Sequence, residues 1–254
     1  MRVFCFSGSG NSYWVATEVA AHFSVNPELI SSFRDKSSVE VADSQIGIIA
    51  PIYLNDIPKN VKEFILKLSF ADPYAYIFTV LTSSSGKNKS GFKNTDLALA
   101  QHNARLALAY DISMPSSFQE RIDMDSVLSA ASEKVTEIFR AVEEKHENYT
   151  SYGSTMLPKN FTQLSFMYKL LSRMSVTEKC VGCGLCYKLC PTNNLVIQDG
   201  KAARGKNCIA CTSCASWCPQ HAIRSRLLKG QYHHPQISAL HLLPLRNEGQ
   251  ENEC

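Results

Sequence analysis

Eight of the ten cysteines fall between Cys180 and Cys218. Cys180, Cys183, Cys186 and Cys190 run into Pro191, and Cys208, Cys211, Cys214 and Cys218 run into Pro219, so C-x2-C-x2-C-x3-C-P occurs twice, 28 residues apart. Three thiolates at three-residue intervals can close around three irons of one cubane, while a fourth, carried away by a turn, reaches a second cluster. Zinc is the competing chemistry: one pair of C-x2-C units serves one tetrahedral ion, and eight cysteines can hold two. The threefold spacing and the repeated C-P ending match iron and sulfide better. A disulfide framework belongs to small exported domains, and these short regular spacings do not read as one. Val181, Leu185, Leu195, Val196, Ile197, Ile209 and Ile223 supply an apolar shell that limits water and tunes potential.

A second chemical signal is Ser7-Gly8-Ser9-Gly10-Asn11-Ser12, placed between an apolar run and a helical pattern. A strand-to-helix turn of this composition can wrap a phosphate with backbone N–H groups, hydroxyls and the helix N-terminus. It is not a P-loop, because no Gly-Lys-Ser/Thr closes it. It is a poor dinucleotide fingerprint too: Tyr13 stands where the third Gly or Ala belongs, although Glu28 lies near the distance of a ribose acid. Other reactive types have plainer readings. Cys5 reads as a small buried apolar side chain, Tyr13 and Trp14 as helix packing, Cys254 as incidental, and His233 and His234 as surface residues. No Ser-His-Asp arrangement or carboxylate pair can be placed.

The elements that must position these groups differ along the chain. Val3–Phe6, residues 24–30, Ile46–Ile52, Tyr74–Leu81 and Asp111–Met114 are expected strands. Helical spacing covers Tyr13 to Ala20, Pro58 to Leu68, Thr95 to Ala109 and Ser126 to Lys145. Buried strands alternating with helices imply an α/β fold: a doubly wound, five-stranded parallel sheet with ligand at the carboxyl ends of its strands. A small α+β unit carrying the cysteines follows. The expected division is 1–147, a linker and helix at 148–175, the cysteine unit at 176–230 and a polar tail at 231–254.

The chain has 254 residues, 44% hydrophobic and 19% charged, which excludes wholesale disorder, collagen and a simple coiled coil. No run is long enough for a membrane span and no leader is read, so a cytoplasmic, intracellular protein is expected. The net charge of +3 hides an asymmetry. Residues 1–150 hold 14 Lys/Arg against 18 Asp/Glu, whereas residues 151–230 hold 11 against 2. Dispersed bases with little aromatic interleaving do not suit nucleic acid. They suit an acidic redox partner protein, or docking on the chain's own acidic half. Phe161, Leu164, Phe166 and Leu170 are expected to pack the cysteine unit on the first half.

The glycine turn resembles the phosphate loop of flavodoxins, hydroxyl-x-hydroxyl-Gly-x-hydroxyl, matched by Ser7, Ser9, Gly10 and Ser12 with Asn11 between. The resemblance covers about residues 1–145. It implies bound FMN, its ring contacted by Pro51-Ile52-Tyr53-Leu54-Asn55 and by Thr82-Ser83-Ser84-Ser85-Gly86. Tyr53 would stack on the ring, with Phe92 a weak second aromatic. The cysteine repeat resembles bacterial two-cluster ferredoxins. By that resemblance Cys180, Cys183, Cys186 and Cys218 hold one [4Fe-4S] cluster, and Cys208, Cys211, Cys214 and Cys190 the other. Gly182 and Gly184 would let amides point at cluster sulfur. Together the halves resemble the flavodoxin-ferredoxin fusion proteins of anaerobic bacteria and archaea, the EFR-type ferredoxins. The implied function is electron transfer in anaerobic metabolism, between two clusters and an FMN or an outside redox partner. The alternative is a flavin-dependent reductase of a small molecule, fed by its own clusters. Short loops and no long lid favour the carrier over a substrate-specific enzyme.

Overall fold

Val3, Phe4 and Cys5 lose all solvent exposure in β1 (Arg2–Cys5), an interior strand of a five-stranded sheet. The computed structural model describes residues 1–85, 88–116, 118, 123–150, 170 and 173–244. β1 pairs in parallel with β2 (Pro27–Leu29) on one side and β4 (Gln45–Pro51) on the other; β3 (Val39–Val41) stands outside this sheet. β5 (Leu68–Phe70) pairs with β3, and the main sheet continues through β6 (Tyr76–Ser83) and β7 (Leu106–Ser113). The sheet order β2-β1-β4-β6-β7 is 2-1-3-4-5 in strands of the sheet, the flavodoxin-like doubly wound arrangement.

Alternate residues of the strands feed two cores. Val3, Cys5, Ile49, Phe78 and Val80 pack under α1 (Asn11–His22) and α4 (Met124–Glu143). Phe4, Ile46, Ile48, Ile77 and Leu81 pack under α2 (Lys59–Ile65) and α3 (Lys89–Ala100). Burial on both faces explains why the strands read as continuous apolar runs rather than alternating ones. In α4 the stripe Ala131, Val135, Ile138, Val142 is buried, and Asp123 caps the helix by accepting from the Ser126 N–H at 3.2 Å. At Gly47 a side chain is impossible: a Cβ there would lie 2.9 Å from Cε2 of Phe78, whose ring fills the space.

Three expectations are corrected. The third helix ends at Ala100 instead of Ala109, and Leu106-Ala107-Leu108-Ala109 belongs to β7. Leu and Ala favour helices intrinsically, but here the segment fills the sheet edge beside β6, and tertiary pairing outweighs propensity. The second strand is only Pro27–Leu29. The β3 and β5 pair was not foreseen.

In the cysteine-bearing part, β8 (Ser175–Val176) pairs antiparallel with Ile223–Arg224, and β9 (Leu195–Gln198) pairs antiparallel with β10 (Lys201–Arg204). Short helices Leu185–Lys188 and Ser213–Ser216 follow the first residues of each cysteine run. Of the expected packing residues, Phe161, Leu164 and Phe166 lie outside the described residues; Leu170 is described and is partly buried. The described docking uses other groups. Leu189, Trp217, Ile237 and Leu242 join the core under α1, and Ile209 and Cys211 join the core under α2.

Residues 231–244 fold back over α1. His234 stacks on Trp14 with centroids 5.1 Å apart, and its backbone N–H donates to the Ser9 carbonyl at 2.8 Å. His241 stacks on Tyr13. His233 is exposed, as read, and stacks on Trp217, but His234 is 1% exposed and so is corrected from surface to core. Burial, with a smaller contribution from His233, pushes its imidazole down to about 4.

Candidate functional site

The two cysteine runs fold into the same local backbone. Positive φ occurs two and four residues after the first cysteine of each run: Gly182 and Gly184 in one, Ala210 and Thr212 in the other. It recurs three residues after each terminal cysteine, at Asn193 and His221. This winding turns amides toward sulfur. The N–H of Asn194 donates to Cys190 Sγ at 3.1 Å and that of Ala222 to Cys218 Sγ at 3.3 Å, four residues on in each case. Ala202 N–H donates to Cys180 Sγ and Ala210 N–H to Cys208 Sγ, both at 3.4 Å.

The repeats exchange their last cysteines. Cys180, Cys183 and Cys186 line one cavity with Cys218, among Val181, Leu185, Ile197 and Ile223. Cys208, Cys211 and Cys214 line another with Cys190, among Met174, Leu195, Ile209 and Ile223. Ile223 belongs to both. Among the described residues no three His, Cys, Asp or Glu side chains converge on a single ion. Burial pushes the Cys186 thiol up to about 11, with the neighbouring thiols Cys183, Cys180 and Cys218 adding to it. Burial likewise raises Cys211 to about 12 and raises Cys208 and Cys214. Thiols so placed carry negative charge only when a cationic centre compensates it, which is the chemistry of a metal or cluster site. Cys183 is exposed, and Val181 beside it is 64% exposed, so the first cavity opens to solvent.

A third cavity, of about 310 Å³, lies at the carboxyl ends of the parallel strands. Ser7, Ser9, Asn11, Ser12, Pro51, Ile52, Tyr53, Leu54, Asn55, Thr82, Ser83 and Ser84 all line it. Gly10 does not; it takes a left-handed φ of 96° at the start of α1 and donates its N–H to Ser7 Oγ at 3.0 Å. Gly86 lies outside the described residues. Phe92 does not reach the cavity and packs against the core under α2 and α3. Gly8 and Ser85, from the two loops expected there, also line it; sequence reasoning missed Met114, Pro115, Ser116 and Phe118 on its wall, and also Ala210, Cys211 and Thr212 from the cysteine-bearing part. The segment after β7 had a usable signal, since all carboxyl ends of a parallel sheet face one crevice. Residues 210–212 had none.

The chemistry of this cavity suits a phosphate. The amides at the start of α1 have no side-chain cap, and the hydroxyls of Ser7, Ser9 and Ser12 stand beside them. Ser12 Oγ is held by Thr82 Oγ1 at 2.8 Å. Asn11 is held on both sides, donating to the Pro115 carbonyl at 2.9 Å and accepting from Tyr232 Oη at 2.7 Å. The Tyr53-Leu54-Asn55-Asp56 turn has positive φ at both central residues and reciprocal backbone bonds between Tyr53 and Asp56. That is a type I′ turn, and a Leu in it is strained by about 1–2 kcal/mol. Tyr53 aims its hydroxyl at the Cys211 carbonyl, 3.4 Å away.

The cysteine-bearing part therefore closes this cavity. Trp217 Nε1–H donates to the Gly8 carbonyl at 2.8 Å, and a Cβ on Gly8 would stand 2.8 Å from Tyr53 Oη and closer still to the Cys211 carbonyl oxygen. Cys211 and Thr212 line both this cavity and the second cysteine cavity.

Residues 174–228 match the family described as 4Fe-4S dicluster domain. The chain is 40% identical over 57 residues to an uncharacterized ferredoxin of Methanocaldococcus jannaschii, covering 74% of it and 20% of this chain. It is 40% identical over 52 residues to the pyruvate synthase subunit PorD of Thermotoga maritima, 52% of that protein and 19% of this one. It is 32% identical over 90 residues to the DNA-directed RNA polymerase subunit Rpo3 of Archaeoglobus fulgidus, 34% of that protein and 35% of this one. The chain thus spans about a third to a half of these last two relatives. Among solved structures, the Trp repressor binding protein from Bacillus subtilis aligns over 56% of this chain and 95% of its own, with 9% identity and a TM-score of 0.34. The flavodiiron core from Synechocystis aligns over 56% of this chain and 35% of its own, with 11% identity and a TM-score of 0.32. Through residues 174–228, this chain belongs to the 4Fe-4S dicluster domain family.

Proposed function

We propose that the protein is an intracellular electron carrier holding FMN in the strand-end cavity and two [4Fe-4S] clusters on its eight clustered cysteines. Cys180, Cys183, Cys186 and Cys218 would hold the outer cluster, and Cys190, Cys208, Cys211 and Cys214 the inner one. Ser7, Ser9, Asn11, Ser12 and the first amides of α1 would hold the phosphate. The 51–55 and 82–85 loops would hold the ring. The observation that carries this reading is Cys211, which lines the inner cysteine cavity and the strand-end cavity at once. When bound, FMN exchanges two electrons and can do so singly, while each cluster exchanges one.

The protein's own contribution is arrangement. Ile223 lines both cysteine cavities, and Cys211 and Thr212 line both the inner one and the strand-end cavity, so each site adjoins the next. The outer cysteine cavity opens to solvent at Cys183 and Val181. Exposed Lys179, Lys188, Arg204, Lys206 and Arg224 give this part its basic surface, suited to an acidic redox partner.

The reductase reading needs a proton donor at the flavin. The described lining of the strand-end cavity contains no carboxyl, imidazole, ammonium or guanidinium group, and the hydroxyl of its phenol, Tyr53, is aimed at the Cys211 carbonyl, which favours the carrier. Among the described residues no helix is long and apolar enough to cross a membrane. The test is anaerobic purification with iron, acid-labile sulfide and flavin quantified. Eight irons, eight sulfides and one FMN per chain are expected, about the content of two cubanes and one flavin site. Zinc in place of iron, or no FMN uptake on reconstitution, would remove the corresponding part of the proposal.

A further inference from the structure

A separate cleft of about 330 Å³ runs along the seam between the two parts, and it shares no lining residue with the strand-end cavity. Arg34, Asn60 and Lys67 line it from one side, and Thr192, Asn193 and Asn207 from the other. Seams of this size between structural units are common places for small-molecule sites.

Its hydrogen-bonding groups are poorly used. Both side-chain polar atoms of Asn60 are buried and have no partner. A buried amide in that state is an exception that asks for an explanation. Arg34 is only loosely engaged: its Nε lies 3.3 Å from the Asp35 carboxylate and its Nη1 donates to the Cys190 carbonyl at 3.4 Å. Lys67 spends one donor on the Arg34 carbonyl at 2.6 Å and keeps two. Thr192 has its hydroxyl committed to the Asn207 carbonyl. The ionised lining is Arg34, Lys59 and Lys67 against Asp35 and Glu63; Lys59 is paired with Glu63 at 3.5 Å and Asp35 lies on Arg34, so the net charge is positive and the complementary ligand is rich in acceptor oxygens and negatively charged. A guanidinium fork beside a point-charge ammonium suits phosphate oxygens. The Asn60 Oδ1 needs the reverse, a hydroxyl donor, and Phe33, Phe64 and Ile209 offer an apolar wall to an organic body.

We infer that this cleft binds a phosphomonoester of a small hydroxylated molecule, with the phosphate on Arg34 and Lys67 and a hydroxyl on Asn60. Arg34 also ties the cleft to the Cys190 backbone, and Cys190 Sγ lies 3.7 Å from Thr192 Oγ1. Occupancy therefore places negative charge beside the inner cluster and shifts its potential downward. This second half rests on the cluster assignment; the binding half does not.

The test is calorimetric titration of the FMN-saturated, anaerobically purified full chain with ribose 5-phosphate, and with inorganic phosphate and ribose in parallel arms. Saturable binding of ribose 5-phosphate is expected at a Kd of about 1 mM or tighter, with phosphate weaker and ribose absent. Asn60→Ala and Arg34→Gln should each weaken it about tenfold. Asn60→Ala should leave the unfolding temperature equal or higher, since it takes no described bond away. Absence of saturable binding overturns the inference, as does equal binding of phosphate and ribose 5-phosphate, which would mark simple charge attraction. Unchanged binding in Asn60→Ala overturns it too. A spectroelectrochemical titration with and without ribose 5-phosphate reads the coupling: binding without a shift in either cluster's midpoint removes the Cys190 link and leaves the site standing.

Discussion

Gly8→Ala tests whether the two parts meet where the structure puts them. Gly8 does not have a positive φ, so alanine adds no backbone strain there, and a change to alanine even restricts the unfolded chain by about 0.4–1 kcal/mol in favour of folding. The cost is steric. The new methyl would lie 3.2 Å from the Cys211 carbonyl carbon, closer to its oxygen and 2.8 Å from Tyr53 Oη, so it meets backbone as well as a side chain. Close-packed interiors yield little, so the seam must open by about 1 Å. Opening weakens the Trp217 to Gly8 and Tyr53 to Cys211 hydrogen bonds, worth about 0.5–1.5 kcal/mol each. Overpacking adds about 1–3 kcal/mol. After the unfolded-state gain, a net loss of about 3 kcal/mol is expected, within a span of about 1–6 kcal/mol, and FMN affinity should fall because residues 210–212 leave the cavity wall. Gly230→Ala is the control, for its Cβ would meet nothing within 4 Å. Urea unfolding and flavin fluorescence quenching on both variants give the comparison. If Gly8→Ala matches the control within about 0.5 kcal/mol and binds FMN as the parent does, the contact between Gly8 and Cys211 is misplaced.

Cys183→Ser and Cys211→Ser should each lower iron and sulfide by about half, one cubane of two, read by colorimetric assay; full content in either would void its ligand role. His234 supplies a pH dependence. Its folded pKa is depressed to about 4 by burial, below the unfolded value near 6.5, so the unfolded chain binds the extra proton between these values. Stability should therefore be complete above about pH 6.5 and fall by on the order of 2 kcal/mol toward pH 4. His234→Gln should flatten the slope of urea midpoints between pH 5 and 7, and an unflattened slope would assign it to other groups. Salt separates docking from encounter. Among the described residues no ion pair crosses the seam, which is held by apolar contacts and hydrogen bonds, so internal reduction kinetics should change little in stopped flow from about 0.1 M to 1 M salt. Reaction with an acidic partner should slow over the same range, and parallel slowing of both would contradict a rigid seam.

Much of the sheet was legible because its strands are buried on both faces and announce themselves as apolar runs, Ile46 to Ile52 most clearly. The cysteine grouping was legible for a different reason: the repeat has a period, and a period survives without knowledge of neighbours. What failed depended on long-range partners. Leu106 to Ala109 has the composition of a helix and becomes a strand only because β6 lies beside it. His234 sits among polar and apolar residues with no period, and its burial comes from Trp14, 220 positions earlier. The wall formed by Ala210, Cys211 and Thr212 could not be read from either part alone, since its meaning lies in what faces it.

That wall also accounts for a difference between the two cysteine runs. Of the left-handed positions in their shared backbone, the two nearest the first cysteine are, in the solvent-facing run, both glycine, which adopts that conformation freely. In the inner run they are Ala210 and Thr212, strained by about 1–2 kcal/mol each. Both are buried, and both line the strand-end cavity. Glycine at these places would relieve the backbone and leave a gap between the inner cysteines and the cavity, through which water could reach both. A residue held in an unfavourable conformation persists when its surroundings over-determine it, and here the surroundings are the phosphate-loop turn on one side and the cysteine cage on the other. The strain at Ala210 and Thr212 thus falls in the segment that the two sites share, where their side chains occupy space that glycine would leave open.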